Sequence, residues 1–202
     1  MKYIIITILV LVIQIYHTNQ SYAQKEDAIW MFADSAGLDF NFDPPRVIYS
    51  QVSSKFVNAE AQATISDSSG KLLFYIRYAE SFNWTDTSNF YRNETCLINW
   101  KNEKIENSDS LLLDDSSTNG ALILPIPEKK GFYYVLTHNY DRSRGKPIIV
   151  GGRRLQITQY FYSIVDMNLN NGEGKVIVKN KLLSPVNMVE RINAVRHANG
   201  ID

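Results

Sequence analysis

Apolar and polar positions alternate along this chain in short blocks, and the blocks predict strands. From Ala63 to Tyr75 (ATISDSSGKLLFY) an apolar run meets a polar Asp-Ser-Ser-Gly turn and resumes as a second, aromatic-rich run, the pattern of a β-hairpin. The unit returns at Ala121–Leu136 (ALILPIPEKKGFYYVL) and begins again at Ala194 (AVRHANGID). In the second strand of the first hairpin Leu72, Phe74 and Ile76 fall on one face, and Leu73, Tyr75 and Arg77 on the other. Apolar residues on both faces predict a strand covered on both sides, as in stacked sheets.

Other strands follow from the same pattern. Ala28–Ala33 is a short apolar strand, Asp34–Gly37 a turn, and Leu38–Phe42 alternates with a strand period. Asp43-Pro44-Pro45 interrupts it, because neither proline can donate to a ladder, and Val47–Val52 resumes. Tyr78–Asn93 is polar and aromatic without a period and reads as a loop. Glu94–Trp100 is a strand whose Cys96, Ile98 and Trp100 share a face, with a turn at Lys101-Asn102 into Glu103–Glu106. Asn107–Asn119 is mostly polar around Leu111–Leu113. Asn139–Arg154 reads as a long loop carrying Arg142, Arg144, Lys146, Arg153 and Arg154. Leu155–Met167 gives the longest strand signal, with Tyr160 and Tyr162 opposite Phe161 and Val165, and the Asn168–Gly174 turn leads to a partner strand at Lys175–Leu183.

No segment longer than one turn carries a convincing period of 3.6, so the expected fold class is all-β with antiparallel sheets. Ala63 and Ala121 are 58 residues apart, Ala121 and Ala194 are 73 apart, and the difference of 15 is about the size of the Asn139–Arg154 loop. Taking that loop as an insertion gives repeated blade-like units of about 58 residues with four strand candidates each, and a partial β-propeller-like fold of about three blades. Propellers close at roughly four or more blades. The chain stops two residues after Asn199-Gly200, inside the third hairpin, so residues 24–202 are expected to be a propeller-like domain truncated at its C-terminus. A small β-sandwich is the alternative.

The first residues change the picture from fold to location. Lys2 precedes an unbroken apolar run from Tyr3 to Ile13, and Ser21-Tyr22-Ala23 supplies small residues where a signal peptidase reads. Residues 1–23 are therefore expected to be a signal peptide, cleaved before Gln24. The run is shorter than the ~20 apolar residues of a spanning helix, so no membrane insertion is expected after cleavage. Cleavage removes one charge, Lys2, and leaves 20 basic against 21 acidic residues, a balance that predicts no nucleic-acid partner. Cys96 is the only cysteine, so no intrachain disulfide can form, and it is expected in a buried strand.

Several of these stretches together resemble one family. Trp30–Asn41 (WMFADSAGLDFN), the two complete hairpins, Tyr162–Val176 (YSIVDMNLNNGEGKV) and Glu190–Gly200 (ERINAVRHANG) are similar to the N-terminal propeller-like region of large exported proteins of the Bacteroidota. Those proteins often carry immunoglobulin-like repeats and a C-terminal sorting domain for type IX secretion, of the gliding-motility type. The resemblance spans nearly all of the chain after the leader. It departs at Tyr78–Asn93, where the family places a Trp-Asn strand, and the family continues well past the third hairpin. The resemblance implies export to the periplasm, the cell surface or the medium, and it carries over no catalytic residue.

Chemistry is sparse. Asp34, Asp39 and Asp43 are spaced suggestively, yet Asp34 and Asp43 sit in turn positions where Asp bends backbone. Asp114-Asp115 reads as a solvated pair, and Asp166 as an acceptor for backbone N–H groups of the following turn. His138 and His197 each follow a strand without zinc-ligand spacing, and neither a Gly-x-Ser-x-Gly elbow nor a phosphate loop is present. No catalytic residue, metal site or cofactor is assigned. The leading expectation is an exported, non-enzymatic recognition or adhesion module that presents loops on a rigid sheet scaffold. Its partner would be a glycan or an extracellular protein. Tyr78, Phe82, Trp84, Phe90 and Tyr91 are the candidate stacking residues, and Arg142 and Arg144 the candidate contacts to an anionic glycan. The alternatives are a polysaccharide hydrolase or lyase with channel carboxylates, and a gene fragment without a function of its own.

Overall fold

The computed structural model describes residues 25–32, 36–49, 61–78, 80–82, 91–93, 95–114, 117–140, 148–150, 153–155, 158–184 and 191–195. The expected leader lies outside them. The fold is all-β, and among the described residues every strand ladder is antiparallel, with one isolated parallel bridge between Glu106 and Lys175. Among the described residues the one helical element is a 3-10 turn at Asn170–Gly172.

Three sheets carry the architecture. The first joins β1 (Ile29–Met31), β2 (Ala36–Asp39) and β3 (Arg46–Tyr49) in that order. The second joins β4 (Thr64–Ser66) and β5 (Leu72–Arg77) to β8 (Cys96–Asn99). The third joins β9 (Ala121–Pro125), β10 (Phe132–Tyr140), β13 (Thr158–Asp166) and β14 (Lys175–Ser184). Two hairpins complete the set, β6 (Glu80–Phe82) with β7 (Tyr91–Asn93), and β11 (Ile148–Val150) with β12 (Arg153–Leu155). No sheet closes on itself among the described residues.

The hairpins correct two expectations. Tyr78–Asn93 and Asn139–Arg154 are not simple loops, because each contains paired strands. Segments as short as Glu-Ser-Phe and Tyr-Arg-Asn carry too few positions to show a period. Nor is the second segment an insertion peculiar to one repeat. In both units the extra hairpin lies between the second and third strands of its sheet, β6–β7 between β5 and β8, and β11–β12 between β10 and β13. The first unit also has a rudimentary fourth strand, since Lys104 bridges Ile98 and the Ile105 N–H donates to the Leu97 carbonyl at 2.9 Å. Residues 191–195 form no ladder, although the Ile192 N–H reaches the Asn119 carbonyl at 3.3 Å beside the start of β9.

The second sheet is buried on both faces, as its sequence predicts. Ile65, Phe74, Ile76 and Leu97 pack against Ala121, Ile123, Val135, Val165 and Val176 of the third sheet. Tyr75, Cys96 and Ile98 pack the other way, against Ile29, Met31 and Ile48 of the first. The order is therefore first sheet, second sheet, third sheet, each face to face with the next. Cys96 is buried as expected, and that burial raises its thiol pKa above the ordinary value, while Trp100 leaves the strand face and is exposed. The outermost face of the first sheet is apolar, and that of the third is mixed, because it also holds Asp166, Lys175 and Lys181. On the first sheet Trp30, Phe32, Leu38, Phe40, Val47 and Tyr49 share the face turned away from the stack. On the third, one row runs Leu124, Tyr134, Ile164, Val178 and the next runs Leu122, Leu136, Tyr162, Lys181.

The hairpin turns are fixed by local polar chemistry. In the first, the Asp67 carboxylate accepts the Ser69 hydroxyl at 2.6 Å, the Ser69 N–H at 2.9 Å and the Lys71 N–H at 3.1 Å. Burial alone would raise its pKa, but these bonds together hold the carboxyl below its ordinary 3.8. A lowered folded-state pKa gives stability that is complete above the unfolded value and is lost as pH falls through the folded one. In urea titrations Asp67→Ala is accordingly expected to be less stable than the parent at neutral pH, with the gap closing as the pH drops below about 4. A gap that stays constant down to pH ~2 would sink this assignment.

Candidate functional site

Two places hold polar groups that the core would otherwise exclude. The first lies where β10 meets the segment entering β9. His138 is fully buried inside β10, not beyond its end as the sequence suggested. Its Nδ1 lies 2.7 Å from Ser117 Oγ, and the Ser117 hydroxyl is 3.4 Å from Asp114 Oδ2. Asp114 is buried too, which corrects its reading as one of a solvated pair, while Asp115 lies outside the described residues. The reason is the path of the chain. Leu111 and Leu113 enter the core, the Asp114 N–H donates to the His138 carbonyl at 2.8 Å, and the His138 N–H donates to the Gly120 carbonyl at 3.0 Å. The His138 ring tilts against Tyr160, 5.4 Å between centroids.

These residue types invite comparison with a nucleophile triad, and the geometry differs. In a triad the histidine stands between the hydroxyl and the carboxylate. Here serine stands in the middle, and its side chain is wholly covered. The Ser117–His138 hydrogen bond is the shorter of the two, and its direction follows the imidazole tautomer. The arrangement ties the 111–117 segment to the third sheet. Replacing Ser117 by Ala should lower stability by about 1–3 kcal/mol, the cost of removing one partner from a buried polar pair. A change under about 0.5 kcal/mol in urea unfolding would show that the hydroxyl contributes nothing.

The second place is a clasp that occurs twice. At the end of β13 the Asp166 Oδ1 accepts the Asn168 N–H and its side-chain amide, both at 2.9 Å, and that amide also donates to the Lys130 carbonyl at 3.1 Å. At the end of β2 the Asp39 Oδ1 accepts the Asn41 N–H and amide, both at 3.0 Å, and the Asn41 amide donates to the Gly70 carbonyl at 2.8 Å. An Asp-x-Asn pair thus grips a neighbouring hairpin turn beside a glycine of positive φ, at the carbonyl of Gly70 (φ +89°) in one case and at the Lys130 carbonyl that precedes Gly131 (φ +83°) in the other. Asp166 does what the sequence predicted, and Asp39 does the same. Arg46 approaches Asp39 at 3.5 Å, so that carboxylate is engaged from both sides. Among the described residues no three His, Cys, Asp or Glu side chains gather as a metal site. The repeated Asp-x-Asn of LDFN and VDMN is the sequence signal of this clasp.

No family model, curated protein or solved structure matches the chain.

The nominated binding residues are scattered in what the structure describes. Tyr78 packs half-buried against the core cluster of the second and third sheets, so it is not a free loop aromatic. Phe82 and Tyr91 are cross-strand partners in the β6–β7 hairpin. Trp84, Phe90, Arg142 and Arg144 lie outside the described residues, as do Asp34 and His197. Along the chain Trp84 and Phe90 fall between β6 and β7, and Arg142 and Arg144 between β10 and β11.

Proposed function

We propose that this chain is an exported, propeller-like recognition module whose ligands are glycans. The observation that carries the reading is the repeated placement of an extra hairpin between the second and third strands of two successive sheets. A scaffold that repeats offers its elaborations side by side, and function concentrates in such elaborations. The blade reading is supported by the first strands of successive sheets lying beside one another, β1 by β4 and β4 by β9, as sheets arranged around an axis require. The outer edges meet as well, where the Val176 N–H donates to the Glu106 carbonyl at 2.9 Å. The up-and-down order of the third sheet, β9-β10-β13-β14, is that of a four-stranded blade. Export rests on the apolar run behind Lys2, and cleavage gives a mature protein beginning at Gln24, a point that N-terminal sequencing of the secreted chain tests directly.

The binding test is an array of neutral and anionic glycans probed with the purified chain. Trp84→Ala and the pair Arg142→Ala/Arg144→Ala should each weaken retention about tenfold or more, the loss expected of an aromatic or charged anchor. A parental thermal melt in each variant separates lost binding from lost folding. Retention unchanged in both variants overturns the assignment of these loops, and a parent chain that retains no glycan overturns the ligand class.

A further inference from the structure

We propose that Asn171 is a site of spontaneous covalent modification, and that its conversion to isoaspartate loosens the tie between the second and third sheets. The pair Asn-Gly occurs at Asn119, Asn171 and Asn199. A glycine leaves its backbone nitrogen open to the preceding asparagine side chain, which makes such an asparagine thermolabile. Asn199 lies outside the described residues, and the structure separates the other two. Gly120 is buried, and a Cβ placed on it would stand 2.5 Å from Ser117 Cβ and 3.2 Å from Ala61 Cβ. Its N–H donates to the Ser117 carbonyl at 3.1 Å, and its carbonyl accepts the His138 N–H at 3.0 Å. Closing a ring onto the Gly120 nitrogen therefore disturbs the buried Ser117–His138 pair. At Gly172 the same added Cβ meets nothing within 4 Å. Asn171 is exposed, at φ +54° and ψ +34°, in the left-handed region that asparagine tolerates. The Asn170 amide beside it is tied to Glu106 and to the Gly174 carbonyl, whereas no hydrogen bond holds the Asn171 amide among the described residues.

The chemistry needs only water. The Gly172 nitrogen, having given its proton to solvent, attacks Asn171 Cγ. The N–Cγ bond forms, the Cγ–Nδ2 bond breaks, and Nδ2 takes up a proton and leaves as ammonia. Water then opens the cyclic imide. Opening at Cγ gives aspartate, and opening at the backbone carbonyl carbon gives isoaspartate, whose main chain runs through Cβ and Cγ and is longer by one carbon. The turn is closed too tightly to absorb that carbon. Its hydrogen bonds from the Gly172 N–H to the Leu169 carbonyl at 3.1 Å, from the Glu173 N–H to the Asn170 carbonyl at 3.0 Å and from the Gly174 N–H to the Leu169 carbonyl at 3.2 Å all span residue 171. The residues that follow tie the third sheet to the second. The Trp100 indole N–H donates to the Gly172 carbonyl at 3.4 Å, the Asn99 amide donates to the Glu173 carbonyl at 3.5 Å, and Lys101 pairs with the Glu173 carboxylate. A longer main chain at residue 171 displaces all three partners, and the new carboxylate adds like charge two residues from Glu173.

Peptide mapping by mass spectrometry of the purified chain, aged in heavy-oxygen water, tests this. Heavy oxygen should enter at Asn171 about tenfold or more faster than at Asn119, because the latter must first open its packed glycine. In urea the two rates should converge, since the dipeptide is the same. Equal rates in the folded chain overturn the assignment. A difference that persists in urea overturns it too, because the sequence around each pair and not the fold then sets the rate. Asn171→Gly supplies the control for the consequence, since glycine suits the positive φ and cannot form the imide. The urea midpoint of the parent should fall as isoaspartate accumulates, while that of Asn171→Gly, aged alongside, stays where it began. A parent whose midpoint holds after Asn171 has converted overturns the loosening of the sheets, as does a variant that loses as much as the parent. Neither readout involves a glycan, so both outcomes are independent of the ligand proposed above.

Discussion

Phe74→Ala is expected to lower the unfolding free energy by about 3–5 kcal/mol, the range for deleting a buried aromatic side chain. Phe74 has no exposed surface. It lies on the face of β5 that meets the third sheet, with its ring edge to face on Tyr133 at 5.5 Å between centroids. The substitution opens a cavity between two sheets whose strands cannot close it, because each is fixed in register by its own ladder. Urea unfolding followed by circular dichroism reads the loss. A midpoint that falls with unchanged slope is the expected signature, because the folded state keeps its compactness. A penalty below about 1.5 kcal/mol would mean that the second and third sheets are not packed as described. Domain stabilities are typically about 5–15 kcal/mol, so the expected loss is a large share of the total.

The double burial of β5 was legible before the structure because Leu72–Arg77 is apolar on both parities, and few arrangements but stacked sheets satisfy such a strand. The two hairpins were legible for a different reason. Their turns combine Asp or Lys with a glycine at positive φ, and the apolar blocks on either side are of matching length. What failed to register was structure held by partners distant in sequence. Asp114 looked solvated because its neighbours are polar, yet Leu111 and Leu113, three and one positions before it, draw it inward, and the Ser117 hydroxyl donates to it. The β6 and β7 strands owe their existence to each other, and three residues cannot advertise a partner nine residues away. The apolar outer face of the first sheet was written plainly in Trp30, Phe32, Phe40 and Tyr49, but alternation alone does not say which face of a sheet is the covered one. The binding residues were chosen for side-chain type, and of them only Tyr78 has a described environment, against the core.

Gly131→Ala should cost about 2–4 kcal/mol, and its origin can be separated from a general intolerance of the turn. At φ +83° an alanine pays roughly 1–2 kcal/mol for the left-handed backbone alone. The remainder is steric, since a Cβ placed on Gly131 would stand 2.6 Å from the amide atoms of Asn168. Asn168 cannot step aside without releasing its bonds to Lys130 and Asp166. Asn168→Ala alone should therefore cost about 1–2 kcal/mol for the lost hydrogen bonds. In the double variant the clash is gone, and the two penalties should fall short of additivity by about 1–2 kcal/mol. Strict additivity would mean that the turn is strained for backbone reasons only and that the clasp is incidental to it. The same cycle on Gly70 and Asn41 should give the same sign, because the geometry repeats there with Asp39 in the place of Asp166. Agreement between the two cycles would identify the Asp-x-Asn clasp as a shared device of these two hairpin turns, set by a glycine turn lying under an amide.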